Sequence, residues 1–196
     1  MNDVRKQEHK EKKAAVILAA GSGRRMNTPV AKQFLDLMGI PVFLHSVRLF
    51  DKIADKIVLV TSPDAVEYCQ NLLEKEELCA EVIVIAGKSE RFLSSMEGVR
   101  AASDCDLIMI HDAARACVDM EVIERSIASA RIHGSGVAAV PLKDTVKVAD
   151  QNGMVLSTPD RNTLRIIQTP QTFKRDIICA AYQMNRRQLP TVISSH

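Results

Sequence analysis

Short aliphatic runs alternate along this chain with longer segments that have the 3.6-residue period of helices, and this alternation limits the fold more than any other feature. Each run is apolar at successive positions, which is typical of a parallel strand covered by helices on both faces. The alternation therefore predicts an α/β fold with a mostly parallel sheet flanked by helices. The predicted strands are residues 15–19, 56–61, 81–86, 107–111 and 136–140.

The segments between the strands predict the helices. Gly134 is expected to end the fourth of them, since glycine is common just past a helix C-terminus. After Pro141 the pattern changes to two short extended pieces around Gly153, which predicts a protruding β-arm over about 141–163. Charged residues dominate the segment before the first strand, so we expect a charged tail over 1–13 and a single domain over 14–196. The predicted helices are residues 43–51, 64–76, 91–102, 119–133 and a last one from 173 or 174 to 185.

Composition argues against a nucleic-acid partner. Tryptophan is absent and only 4% of residues are aromatic, so base stacking on aromatic platforms is not expected. The net charge of +2 lies within residues 1–13, and the rest of the chain is balanced.

The cysteines and the apolar runs point to a cytoplasmic protein with no membrane contact. The five cysteines are odd in number and form no C-x-x-C pair, which suits reduced, buried thiols better than disulfides or zinc. The apolar run over 14–20 is too short for a leader peptide or a membrane span.

The first predicted strand runs into a turn that contains two glycines and two arginines, and Lys32 follows. In open parallel sheets ligands bind beyond the carboxyl ends of the strands. A glycine-rich turn there lets backbone N–H groups approach phosphate oxygens, while the cations neutralise the charge. Two glycines also suit a purely structural turn, but the added cations favour phosphate binding. The residues of the turn are Ala19, Ala20, Gly21, Ser22, Gly23, Arg24 and Arg25.

Two common phosphate-binding motifs do not fit this turn. A dinucleotide fingerprint would need a third glycine where Met26 stands, and a Walker A loop would need a Gly-Lys-Ser/Thr sequence.

Together with later motifs, the turn resembles the signature of the sugar and polyol phosphate nucleotidyltransferases, and within them the 2-C-methyl-D-erythritol 4-phosphate cytidylyltransferases. The match covers about 14–182, and its most discriminating block is His111-Asp-Ala-Ala-Arg115. The other motifs are 15–26 with 32–34, Gly87 with Glu90, Arg91 and Ser94, 141–147, 158–161 and 168–171.

The resemblance implies a Rossmann-like α/β fold and a reaction of the non-mevalonate isoprenoid pathway. A phosphate oxygen of methylerythritol phosphate attacks the α-phosphorus of CTP and expels pyrophosphate, with a divalent metal, Mg²⁺, present. A phosphate monoester is already largely ionised at neutral pH, so the reaction needs charge neutralisation and positioning rather than a general base.

The resemblance also implies roles for the cations. Arg25 and Lys32 match residues that stabilise the pentacovalent transition state, whereas Arg24 is a β- or γ-phosphate contact or a surface charge. Thr145 and Arg161, on the arm, match residues that hold the acceptor. The arm of the family crosses to a partner subunit, so a homodimer is implied; from the residues alone, the arm is an exposed segment that would aggregate unless paired.

The remaining site residues follow the other strands. The resemblance puts Asp112 near the metal and the polyol, although an isolated aspartate there would more often cap a helix. His111 is expected to be structural, because this reaction has no proton to abstract. Ser94 could instead be an ordinary helix-surface serine. The residues implied to contact CTP are the backbone of Ala19, Ala20, Gly21, Ser22 and Gly23, then Gly87, Ser89, Arg91, Ser94 and Ala113, with Arg115 at the acceptor.

Several positions depart from the family pattern. Ala31 and Ala116 stand where prolines are usual, and Lys88 replaces a glycine, which would strain the backbone if φ were positive there. Family chains also continue into an acidic segment and a late lysine that have no counterpart before His196. We therefore expect an incomplete acceptor side. The alternatives are a ribitol 5-phosphate or other polyol-phosphate cytidylyltransferase, and a nucleotide-binding, catalytically impaired form.

Overall fold

A computed structural model describes residues 10–21 and 31–188, with side chains as far as Gln183. Within these ranges the strands are β1 (Lys13–Ala19), β2 (Asp36–Leu37), β3 (Ile40–Pro41), β4 (Lys56–Thr61), β5 (Glu81–Ala86), β6 (Leu107–Asp112), β7 (Ser135–Pro141), β8 (Val148–Ala149), β9 (Val155–Ser157) and β10 (Arg165–Lys174). The helices are α1 (Val42–Phe50), α2 (Val66–Leu73), α3 (Arg91–Ala101), α4 (Met120–His133) and α5 (Arg175–Gln188).

Six of the strands form the central sheet, in the order β5-β4-β1-β6-β10-β7. The first four run parallel to one another, and β10 pairs antiparallel with both β6 and β7. This confirms the predicted α/β fold with a mostly parallel sheet. It also brings the carboxyl ends of β1, β5 and β6 to one edge of the sheet.

Strand β1 lies at the centre of the core. Its alternate residues face opposite sides of the sheet, because successive side chains of a strand point to opposite faces. Ala15 and Ile17 pack with the buried face that includes α1, α2 and α4, whereas Val16 and Leu18 pack with the face that includes α3 and α5. Strand β1 is thus buried on both faces as far as Ala19, its last residue.

Helix α4 begins and ends as the sequence predicts. The side chain of Asp119 caps its first turn by accepting a hydrogen bond from the Val122 N–H at 2.8 Å. Gly134 ends the helix with a φ of 85°, a left-handed conformation that favours glycine.

The last two strands of the sheet correct the prediction. The segment 136–140 was expected to be covered on both faces, but β7 lies at the sheet edge and is largely exposed. Strand β10 was not predicted, because Pro170 interrupts an otherwise mixed polar segment. Its register shifts between Ile167 and Gln171, which accommodates the proline, and α5 consequently begins at Arg175.

The segment between β7 and β10 forms the arm. Strands β8 and β9 pair antiparallel and are fully exposed, with Gly153 at a φ of 82° in the turn between them. The Asp150 carboxylate closes this turn by accepting the N–H groups of Asn152 and Met154 at 2.9 and 2.8 Å.

The cysteines are free thiols, but their burial was predicted wrongly at two positions. Cys69 and Cys105 are buried, whereas Cys79 and Cys117 are exposed. No helix in the described part of the chain is long and apolar enough to cross a membrane.

Candidate active site

A cavity of about 930 Å³ lies beyond the carboxyl ends of β1, β5 and β6. The turn after β1, the loop from β5 into α3 and the loop after β6 all contribute to its wall, as expected for an open α/β sheet. The lining residues are Leu18, Ala20, Gly21, Lys32, Gln33, Lys88, Ser89, Glu90, Arg91, Ser94, Asp112, Ala114 and Arg115. Eight of the predicted site residues are among them, namely Ala20, Gly21, Lys32, Ser89, Arg91, Ser94, Asp112 and Arg115.

The turn after β1 is held by Gln33, the buried glutamine of the 32–34 motif, to which the sequence alone gives no role. The Gln33 amide donates hydrogen bonds to the carbonyl oxygens of Ala19 at 2.5 Å and Gly21 at 3.0 Å. Gln33 follows Lys32 in a short 3₁₀ turn, Lys32–Phe34, so the same segment presents a cation to the cavity. The residue before this turn, Ala31, has a φ of −63°, which is the value that a proline ring would impose.

The loop from β5 into α3 packs directly on the β1 turn. Gly87 donates its N–H to the Thr61 carbonyl at 2.7 Å, and a β-carbon added to Gly87 would lie 2.7 Å from the Ala20 β-carbon. The buried Ser94 hydroxyl accepts the Lys88 N–H at 2.9 Å and donates to the Lys88 carbonyl at 3.2 Å. Ser94 is therefore a clamp on this loop and not a surface serine.

Lys88 fits this loop without backbone strain, because it does not have a positive φ. Its exposed side chain lines the cavity, where it adds a cation at a position that the family usually gives to glycine.

Asp112, at the end of β6, forms the centre of an ion-pair cluster. Its Oδ1 accepts hydrogen bonds from Nε and Nη2 of Arg91 at 3.1 and 2.8 Å, and its Oδ2 lies 3.3 Å from Nε of Arg115. Arg115 also donates from Nη1 to the side-chain oxygen of Gln168. The two guanidinium groups each keep N–H donors that Asp112 does not use, and these face a cavity suited to anions.

Thr169 supports Asp112 from the neighbouring strand β10. Its hydroxyl oxygen accepts the Asp112 N–H at 3.3 Å and lies 3.0 Å from Nδ1 of His111. His111 is fully buried, and burial lowers its pKa to about 4, so the imidazole is neutral at neutral pH. His111 and Thr169 thus lie beneath the cavity as supports, which agrees with the structural role expected of His111.

Lys32 and Lys88 form no ion pair with a carboxylate among the described side chains, while Asp112 pairs with both arginines. The wall holds four cations, Lys32, Lys88, Arg91 and Arg115, against two carboxylates, Glu90 and Asp112. Its formal charge is therefore positive, which favours an anionic ligand.

Five further predicted residues that the structure describes lie outside the cavity wall. Ala113 is fully buried, donating its N–H to the Leu18 carbonyl at 3.0 Å and accepting from the Ser46 hydroxyl at 3.2 Å. Thr145 and Arg161 lie on the arm, where Arg161 donates to the Lys143 carbonyl at 3.1 Å. Ala19 and Gly87 lie directly behind the wall. Four predicted residues, Ser22, Gly23, Arg24 and Arg25, lie outside the described residues.

The sheet and the cation-lined cavity at its carboxyl edge define an α/β protein with a site suited to a phosphorylated ligand. The family model for IspD, 2-C-methyl-D-erythritol 4-phosphate cytidylyltransferase, matches residues 13–193. The chain belongs to the 2-C-methyl-D-erythritol 4-phosphate cytidylyltransferase family, as its motifs predicted.

Relatives and solved structures agree with this assignment. The enzyme of that name from Caldanaerobacter subterraneus subsp. tengcongensis is 41% identical over 174 residues, which cover 87% of this chain and 77% of the relative. The one from Lachnospira eligens is 39% identical over 86% of this chain and 75% of the relative. The crystal structure of 4-diphosphocytidyl-2C-methyl-D-erythritol synthase from Anaerococcus prevotii superposes with a TM-score of 0.81 at 28% identity, covering 94% of this chain and 79% of that one. The chain thus spans about three quarters of the length of these proteins.

Proposed function

We propose that this protein transfers the cytidylyl group of CTP to 2-C-methyl-D-erythritol 4-phosphate and releases pyrophosphate. The observation that carries the proposal is the cavity of about 930 Å³ with Lys32, Lys88, Arg91 and Arg115 in its wall beside the turn at Gly21. This arrangement suits a nucleoside triphosphate and a phosphate monoester that must meet in one site.

Charge neutralisation is the main task of the residues. The acceptor phosphate is already ionised, so the barrier comes from bringing two polyanions together and from negative charge that grows on the bridging oxygen. Lys32, which has no protein carboxylate partner among the described residues, would bind the phosphates at the reacting centre. Arg25 is proposed to share this role, and Arg24 to contact the β- or γ-phosphate.

The other wall residues would bind the nucleoside and the acceptor. The backbone of residues 19–23 would bind the triphosphate, and the loop with Gly87, Ser89 and Ser94 would hold the base and ribose. Arg91 and Arg115 would bind phosphate through the N–H groups that Asp112 leaves free, Arg115 on the acceptor side. The buried Ala113 would contribute by its backbone alone.

The donor set of the cavity fits Mg²⁺ that arrives with the nucleotide. Mg²⁺ typically takes one or two carboxylates and completes its shell with phosphate oxygens and water. Asp112 is a carboxylate in the cavity wall, and the described part of the chain has no group of three His, Cys, Asp or Glu side chains that could hold a metal by itself. Asp112 would hold the ion, which would supply additional positive charge to the phosphates.

The arm is proposed to complete the site of a partner subunit in a homodimer. Met154, Val155 and Leu156 are 68, 58 and 66% exposed, which is costly for an isolated β-hairpin and is relieved by packing against a second copy. Thr145 and Arg161 would then reach the acceptor bound in the partner's cavity.

The free thiols support a cytoplasmic location.

A pyrophosphate-release assay tests the proposed activity. CTP with 2-C-methyl-D-erythritol 4-phosphate should release pyrophosphate faster than CTP with ribitol 5-phosphate, and UTP or ATP should replace CTP poorly. A preference for ribitol 5-phosphate would identify a different acceptor. CTP binding without turnover on any acceptor would instead show a nucleotide-binding form and refute the proposed reaction.

A further inference from the structure

Gln33 lies in the wall of the cavity but is only 5% exposed, and its amide bonds only to the backbone of the β1 turn among the described residues. We propose that Gln33 is a positioning residue for the reaction. Its amide fixes the distance between the β1 turn and Lys32, so that backbone and ammonium meet the same triphosphate. This inference rests on the proposed function and assigns a role within that site.

The 3₁₀ turn Lys32–Phe34 explains how three consecutive side chains reach three different parts of the protein. Three residues make one turn, so consecutive side chains point about 120° apart. Lys32 lines the cavity, Gln33 reaches the β1 turn, and Phe34 packs into the core. The Phe34 ring meets the edges or faces of Phe43 and Tyr68 at centroid distances of 5.9 and 5.7 Å.

The aromatic contacts of Phe34 and the hydrogen bonds of Gln33 have different consequences for the site. The aromatic contacts hold the segment against the core. The two hydrogen bonds tie it to the β1 turn, because one planar NH₂ group donates to the carbonyls of both Ala19 and Gly21. The position of Lys32 relative to the turn therefore depends on this amide.

Few side chains can replace this amide. A carboxylate of the same shape has no donor and would set negative charge against two carbonyl oxygens, whereas a methionine of similar length fills the space without any hydrogen bond. Burial and the two carbonyls raise the pKa of a carboxyl group placed there, and its protonated form can donate one hydrogen bond.

The test compares Gln33→Glu and Gln33→Met with the wild-type protein. Both substitutions should raise the KM for CTP about tenfold or more, because the carbonyls of Ala19 and Gly21 lose the amide that holds the turn. The KM for the acceptor should change far less, since the β1 turn does not contact it in the proposed arrangement. Circular dichroism of both variants establishes that they remain folded.

A pH series supplies a second readout that a loss of folded protein would not produce. Lowering the pH from 8 to 6 should restore CTP affinity to Gln33→Glu as its carboxyl gains a proton, but not to Gln33→Met. The other titratable groups of the cavity wall are Lys32, Lys88, Glu90 and Asp112, and they are identical in wild type and both variants.

The experiment separates a failure of this inference from a failure of the proposed function. If wild type turns over and both variants keep the wild-type kcat and the wild-type KM for CTP, Gln33 does not position the site. Absence of pH recovery in Gln33→Glu would also overturn the proposal. If wild type itself neither binds CTP nor releases pyrophosphate, the proposed function fails first, and this inference fails with it.

Discussion

Adding one methyl group at Gly87 should disturb the cavity wall. The Cβ of Gly87→Ala would lie 2.7 Å from the Ala20 Cβ, 2.9 Å from the Ser94 hydroxyl oxygen and 3.2 Å from the Thr61 carbonyl oxygen. Contacts this short require movement. Gly87 cannot easily withdraw, since its N–H donates to the Thr61 carbonyl at 2.7 Å.

The movement must therefore fall on the β1 turn or on the clamp formed by Ser94. Overpacking of this kind costs about 1–3 kcal/mol in the free energy of unfolding. The β1 turn and the Ser94 clamp both lie in the cavity wall, so we also expect CTP affinity to fall about tenfold or more.

Urea unfolding and calorimetric titration with CTP measure the two effects. Gly21→Ala is the control for stability, because no described atom lies within 4 Å of the added methyl group and Gly21 has no positive φ. Its free energy of unfolding should equal that of wild type within about 0.5 kcal/mol. A Gly87→Ala protein with wild-type stability and wild-type CTP affinity would refute the packing argument.

Three further predictions concern the catalytic cation, the thiols and the arm. Lys32→Ala should lower kcat/KM about a hundredfold or more in the pyrophosphate-release assay, whereas alanine at the exposed Lys75 should not; equal rates would refute the role of Lys32. Burial raises the pKa of the Cys105 thiol to about 11, so iodoacetamide at pH 8 should alkylate the exposed Cys79 first, and mass spectrometry would show the reverse order if Cys105 were accessible. Leu156→Glu should shift the sedimentation coefficient from dimer to monomer, and an unchanged dimer would exclude the arm as its interface.

The sequence predicts the parallel half of the sheet well because continuous aliphatic runs mark its strands. The bounds of β4 and β5 coincide with the predicted 56–61 and 81–86. Strand β4 is buried along its whole length, whereas β5 lies at the sheet edge and is only partly buried. Strand β10 cannot be predicted from an aliphatic run. Its pairing with β6 and β7 is set by tertiary contacts, while its composition and Pro170 give a weak local signal.

For the site, the sequence predicts where residues lie but not how they pair. Arg91, Asp112 and Arg115 were assigned to one edge of the sheet, because the strands that precede them end there. Their mutual pairing could not be predicted, since it depends on the side-chain geometry of two loops. Gln33 and Thr169 lie in the predicted motifs 32–34 and 168–171, but the sequence gives neither of them a role, because their partners are distant along the chain. Membership of the 32–34 motif is the sequence signal that points to Gln33.

A crystal structure of the protein with CTP and Mg²⁺ tests the central claim most directly. The account predicts the triphosphate against Ala20 and Gly21, with the Lys32 ammonium on a phosphate oxygen and the metal on Asp112. A nucleotide bound elsewhere on the molecule, or a cavity that stays empty at saturating CTP, would contradict it.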